Sequence, residues 1–394
     1  MPFQGFDLPD DLRLLAATIA EFVREEIVPV EAGVPGEARD LPAEERAKLQ
    51  RKARDAGFWC LEAPAEYGGG GLGVFAGVVL SEQMAKHRYS FPRPGAGVFG
   101  SEPPVVLYRG SAEQIERYVR PTIEHAWSAF SAISEPTGGS DPARAIRTTA
   151  TRDGDVYRIN GHKMWTTGAD KARYGIVYAR TAERSAGRGG ISALIVDGGT
   201  PGMSVTSVPV LRDHWTTEVT FDDCVVPAEN LVGAEGQGFG LAQEWLVRGR
   251  LRYAAQAVGV AEEAVRIATE WARSRETFGA LLATRQAVQF AIADAHVKIT
   301  AARHLTWDAA WDADRGVDAR TKASIAKLYA TEAGFEVVDA MMQILGGMGM
   351  TMDLPLEHWF RGLRVARVVE GPSEIHRFLI ARDLLGGAAL GRVS

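Results

Sequence analysis

Ser134-Glu135-Pro136-Thr137-Gly138-Gly139-Ser140-Asp141 ends one extended stretch of the chain, and Asn160-Gly161-His162-Lys163-Met164-Trp165-Thr166-Thr167-Gly168 follows a short way downstream. The first segment gathers backbone amides and small hydroxyls in a turn whose glycines let a ligand approach the main chain closely. The second has the form strand, Asn-Gly turn, strand, which by itself is a hairpin with an aromatic on its returning arm. Read without context, the first is a surface turn and Trp165 a core aromatic. Together they offer a flat polar molecule both donors and a ring to lie against.

These two tracts sit in a run of short segments with strand character at residues 127–133, 156–159, 174–179, 191–196, 203–209 and 216–226, punctuated by Gly, Asp and Pro. The texture on either side is different. Apolar positions recur at three- and four-residue steps over residues 11–27, 43–56, 73–86 and 112–124, and again in long runs over 241–273, 284–313 and 318–343, with a shorter one at 373–385. The expected architecture is α+β. It has an N-terminal helical domain (1–126), a middle β domain (127–235) of barrel or sandwich form, and a C-terminal four-helix bundle (236–394). Residues 182–190 read as a polar hairpin loop between strands.

Composition narrows the function. The 394 residues are 46% hydrophobic, enough for a sizeable core, and the formal charge of -6 is spread without a basic stripe, so nucleic acid is not an expected partner. Cys60 and Cys224 are the only cysteines and have no metal-ligand spacing, so neither a disulfide framework nor a metal site is expected. No apolar run approaches the roughly 18 residues of a membrane span, and the amphipathic N-terminus matches neither a secretory signal nor an import peptide. A cytoplasmic protein with no membrane association is the expectation.

The two opening tracts, together with Arg364-Val365-Ala366-Arg367-Val368-Val369-Glu370-Gly371-Pro372-Ser373-Glu374 far downstream, resemble the FAD-dependent acyl-CoA dehydrogenases over nearly the whole chain. The resemblance implies an enzyme of fatty-acid metabolism that desaturates an acyl-CoA thioester, with Glu370 abstracting the α-proton and flavin N5 accepting the β-hydride from the opposite face of the acyl chain. It places Ile133, Ser134, Gly139 and Ser140 along the flavin, with Ser140 also bordering the substrate. It packs Trp165 against the ring, with Thr166 and Thr167 beside it. Arg275, Phe278 and Gln286 would hold the pyrophosphate and adenosine end of FAD. Gln343, Gly346 and Gly347 would meet the FAD of a neighbouring subunit, which requires at least a dimer, with a homotetramer usual in the family. Pro372 and Glu374 belong to the cofactor set, and Gly371 and Arg250 to the substrate side. Reduced flavin would pass its electrons to an electron-transfer flavoprotein.

Each of these residues also has an ordinary reading: Arg275 a helix-end charge, Phe278 a core plug, Gly346 a helix C-cap, Glu370 a solvated loop acid. The chain departs from the family pattern at several points. Val369 replaces a tyrosine before the base, Pro372 a threonine and Val247 an aspartate, while residues 208–218 are shorter than usual. Gly249 stands where some branches project their base, which directs that role back to Glu370. Two rivals remain: an oxidase or monooxygenase on the same scaffold, and a non-catalytic subunit of that fold.

Overall fold

The computed structural model describes residues 7–182, 190–211 and 216–386. The loop expected at 182–190 and the centre of the 208–218 stretch therefore fall largely outside the described residues. In chain order the helices are α1 (Asp10–Phe22), α2 (Val28–Ala32), α3 (Ala43–Asp55), α4 (Val74–Met84), α5 (Ala112–Gln114), α6 (Arg120–His125), α7 (Pro142–Ala145), α8 (Gly238–Ser274), α9 (Gln286–Asp314), α10 (Arg320–Leu345), α11 (Leu356–Ala366) and α12 (Ser373–Leu384). The strands are β1 (Ala129–Ala132), β2 (Thr149–Asp153), β3 (Val156–Thr167), β4 (Tyr174–Arg180), β5 (Ile191–Asp197), β6 (Met203–Ser207), β7 (Thr216–Pro227) and β8 (Leu231–Val232), followed by the short pair β9 (Glu276–Thr277) and β10 (Ala280–Leu281).

The chain forms two compact units, one of Met1–Glu62, Leu72–Phe99 and Val247–Ser394, the other of Ala63–Gly71 and Gly100–Leu246. The first is helical. Its core draws on Ile19, Ile27, Leu80, Val258, Val338, Met341, Trp359 and Leu363, all nearly inaccessible. The buried face of α8 carries Ala254, Ala257, Ala261, Ala264 and Ala268, and that of α10 carries Ala323, Ala326 and Ala330. Such small side chains suit helix axes that run close together.

Two helices expected to be continuous are interrupted by wide π turns, at Val23–Ile27 and at Ile115–Val119. Each turn lies just ahead of a proline inside the helical run, Pro29 and Pro121. Proline removes one amide from the ladder and its ring crowds the carbonyl four residues back, and the widened turn accommodates both. Helix α11 was not legible as a helix in the sequence.

The second unit is built on one sheet of order β6-β7-β3-β2-β4-β5-β8, with β1 parallel to β4. Strand β4 is buried along its whole length and β5 nearly so, which is why both read as unbroken apolar runs. The expected hairpin turn at Asn160-Gly161 does not occur: β3 runs straight through it and pairs with β7 from Val156 to Thr167. The turn lies earlier, at Gly154-Asp155, where the left-handed Gly154 lets β2 fold onto β3 with Asp153 opposite Val156. Asn160 and Gly161 instead make a bulge. The Asn160 side chain accepts a hydrogen bond from the Asp223 amide (2.8 Å), and a Cβ at Gly161 would stand 2.4 Å from Thr148 Oγ1.

Candidate active site

In the sheet unit, β1 runs into Ile133-Ser134 and is tied to β3 where Met164 N donates to Ser134 O (2.9 Å). Beneath this crossing lies a fully buried lysine. Lys163 Nζ donates to Ile133 O (3.3 Å) and to Glu135 Oε1 (2.9 Å). Glu135 also accepts from Arg147 N (2.8 Å), Thr148 N (2.9 Å) and Thr148 Oγ1 (2.7 Å). Burial pushes the Lys163 ammonium down to about 8 against the pull of Glu135. Burial alone would raise Glu135, but Lys163 and the Thr148 bonds hold it below the usual carboxylate value.

Past Lys163, β3 slips register against β7 before Thr166, and Trp165 takes a left-handed backbone (φ 62°). Trp165 is 55% exposed, so it is not the core aromatic of the ordinary reading. Thr167 is exposed beside it, whereas Thr166 turns inward, its carbonyl bonded by Thr217 Oγ1 (2.7 Å) and its own hydroxyl without a partner. Gly139 and Ser140 are exposed at the tip of the first tract; Ser140 is left-handed (φ 60°), and space is open where a Gly139 Cβ would stand.

In the helical unit, α11 ends at Ala366 and the chain turns through Glu370 and Gly371 before Pro372 opens α12. Glu370 (φ 55°) and Gly371 (φ 95°) are both left-handed. Arg250 on α8 donates from Nε to Glu370 O (3.3 Å) and from Nη1 to Ser324 Oγ (3.2 Å). A Cβ at Gly249 would lie 3.0 Å from Glu370 Cδ, so this glycine leaves the room the carboxylate occupies. Glu370 Oε2 is closed off from solvent with no hydrogen-bond partner. Burial pushes this carboxyl up to about 7, against the opposing charges of Arg250, Lys327 and Arg252. A carboxylate of that strength titrates where a general base works.

The remaining predicted residues lie in the same unit. Arg275 follows α8 with its guanidinium over Trp271 (6.0 Å). Phe278 and Gly279 form the left-handed turn between β9 and β10, and Phe278 is fully exposed rather than a core plug. Gln286 begins α9, exposed, and Gln343, Gly346 and Gly347 are exposed at the end of α10. Pro372 precedes α12 and Glu374 stands exposed in its first turn. Among the described residues, eight non-glycines have positive φ, and Ser140, Trp165, Phe278 and Glu370 are four of them. Backbone strain at such residues persists where the surrounding structure holds it, commonly at functional positions.

Models of the acyl-CoA dehydrogenase N-terminal, middle and C-terminal domains match residues 9–126, 131–224 and 236–385. The chain belongs to the acyl-CoA dehydrogenase family. Similar proteins include the cyclohexane-1-carbonyl-CoA dehydrogenase of Geobacter metallireducens, 36% identical over 98% of this chain and 100% of that one. The mitochondrial short-chain specific acyl-CoA dehydrogenase of Mus musculus is 34% identical over 97% of this chain and 92% of its own. The structure of butyryl-CoA dehydrogenase from Megasphaera elsdenii superposes with a TM-score of 0.85 at 28% identity, over 97% and 100% of the two chains.

The protein is thus an oxidoreductase of the acyl-CoA dehydrogenase family, whose cofactor is FAD. The residues present fit that group: an exposed indole held by a strained backbone, open space above Gly139, and an aromatic at 278 wholly clear of its own chain. Three buried charged residues went unread in the sequence: Glu135 and Lys163 in the sheet unit, and Lys327 in the helical unit. Lys327 did leave a signal. It falls at the helical spacing of Ala323, Ala326, Ala330 and Thr331, all buried, where a solvated lysine does not belong.

Proposed function

We propose that this enzyme desaturates the α,β bond of a short or alicyclic acyl-CoA thioester and that Glu370 is its base. One observation carries the reading: an unpartnered carboxylate oxygen, shut from solvent on a left-handed turn, facing a glycine that clears its volume. Bound FAD supplies a two-electron acceptor for the hydride, which no side chain can provide. Glu370 takes the α-proton onto its carboxylate while its backbone amide donates to the thioester carbonyl, so negative charge developing on that oxygen is met by a fixed dipole. Arg250 holds the carbonyl of the same residue and keeps the turn from swinging. Ser134, Trp165 and Thr167 would hold the flavin ring with Ile133, Gly139 and Ser140, and Arg275, Phe278 and Gln286 the pyrophosphate and adenosine end.

The acyl class rests on the relatives named for short-chain, butyryl and cyclohexanecarbonyl substrates. The electron acceptor we propose is an electron-transfer flavoprotein, and the assembly a homotetramer in which Gln343, Gly346 and Gly347 reach a neighbour's cofactor. Exposed Phe290 and Val297, two turns apart on α9, support burial against another copy.

The test is an anaerobic screen of acyl-CoA thioesters against the FAD-loaded protein, following loss of flavin absorbance. Bleaching by butyryl- or cyclohexane-1-carbonyl-CoA with appearance of the enoyl thioester is the expected result. No bleaching by any saturated thioester overturns the reading, and fast reoxidation by air would favour an oxidase instead.

A further inference from the structure

Lys327 is an expensive residue for α10 to bury. It is wholly inaccessible, burial pushes its ammonium down to about 7, and no carboxylate among the described residues is bonded to it. An apolar side chain would serve packing between Ala323 and Ala330 equally well. What Lys327 does touch is the base loop: Nζ donates to Gly371 O at 2.8 Å. That carbonyl and the Glu370 carbonyl, bonded by Arg250, bracket the left-handed pair from two helices, α10 and α8.

The third wall is α12. His376 there is inaccessible, both ring nitrogens lack partners, and a Cβ on Gly371 would stand 3.5 Å from its Nε2. Burial, then the nearby Lys327 and Arg250, drive this imidazole down to about 3, so it contributes no charge. The other charged groups around the loop include Arg250 and Arg252 on α8, Glu332 on α10, Glu374 on α12 and Arg367 just after α11, which lies 3.6 Å from Glu332. Glu332 is already engaged by Arg377 (2.7 Å), and Glu374 is exposed. The partly enclosed carboxylate with no partner of its own is Glu370.

We propose that Lys327 is the positioning residue of the base loop: it clamps the Gly371 carbonyl, fixes the Glu370–Gly371 turn and, while protonated, places a positive charge near the carboxylate. This rests on Glu370 being the base. The charge favours the ionised carboxylate and so keeps a share of the base ready at neutral pH, at some loss of basicity. It also explains why a donor from α10 is a lysine rather than a threonine, which could bond the carbonyl but not bias the titration.

The test uses Lys327→Met in the FAD-loaded enzyme, with flavin bleaching by butyryl-CoA or cyclohexane-1-carbonyl-CoA, whichever reduces the parent, followed from pH 5 to 9. The expected result is a midpoint about one unit above the parent's and a limiting rate down about 10- to 100-fold, with flavin content unchanged. A crystal structure of the variant should show Glu370 leaving its positive φ. An unchanged midpoint together with an unchanged limiting rate overturns the proposal. Where Met prevents folding, Lys327→Gln keeps a donor without the charge; a raised midpoint supports the role and the parent's midpoint overturns it. Glu370→Gln run in parallel separates the two claims: bleaching at the parent rate in that variant removes the base assignment itself, whatever Lys327 does.

Discussion

Two fully buried lysines, one in each unit, each bond a backbone carbonyl and differ in whether a carboxylate is bonded beside them. Lys163 bonds the Ile133 carbonyl at the end of β1, and Lys327 bonds the Gly371 carbonyl beside Glu370, the proposed base. Lys163 has Glu135 at 2.9 Å, and Glu135 accepts three further bonds from Arg147 and Thr148. Lys327 has no bonded carboxylate among the described residues, and the acid its charge acts on most, Glu370, keeps an oxygen unpartnered. A closed ion pair is a strut, because its carboxylate is fully engaged and held ionised. An open one leaves its acid free to take up a proton, which is what a base must do.

The sharpest break of this contrast is Glu370→Gln. The amide keeps the volume and cannot accept a proton, so anaerobic flavin reduction should fall by about 10³-fold while bound FAD is retained. The parent's reduction rate should also climb as pH rises through about 7 and level off above it, since the proposed base acts in its ionised form. At pH 5, two units lower, about a hundredth of the enzyme would be competent. Stopped-flow traces across that range check both statements.

On the closed side, Glu135→Ala strands Lys163 without its partner and should cost about 3–5 kcal/mol of stability by denaturant unfolding. Replacing both members, Glu135→Gln with Lys163→Met, should cost less than that single change. If the double variant were worse than the single one, the strut description would be wrong. Next in size is Gly249→Ala. The added methyl meets Glu370 Cδ at 3.0 Å, so turnover should drop about tenfold with little change in unfolding. The smallest stability effect belongs to Phe278→Ala, within about 0.5 kcal/mol for the FAD-free chain because the ring touches nothing of its own subunit. Its FAD affinity, read by titration, should nevertheless weaken.

Much of this was written plainly in the chain. The apolar spacing located α3, α4, α8, α9, α10 and α12 to within a few residues, because apolar positions recur along each at helical steps. The tracts at 134–141 and 160–168 marked the sheet end that carries Trp165. What stayed hidden depended on contacts distant in sequence. Asn160-Gly161 has the composition of a hairpin turn, and only pairing with β7 makes it a bulge. Burial of a lysine cannot be seen in its neighbours' identities unless its place on the stripe is counted, as at 327. Phe278 misled the other way, since a phenylalanine after a helix reads as core and here projects into solvent.

Ser140, Trp165, Phe278 and Glu370 each hold a conformation that asparagine or glycine would adopt with less strain, by about 1 kcal/mol per position. A redesign that ranked sequences by thermal endurance alone would therefore rewrite these four early and, on the roles proposed for them, return a hardier but inert protein. Directed evolution toward heat resistance should leave them out of the mutated set and look for gains on the solvent faces of α1 and α3 instead.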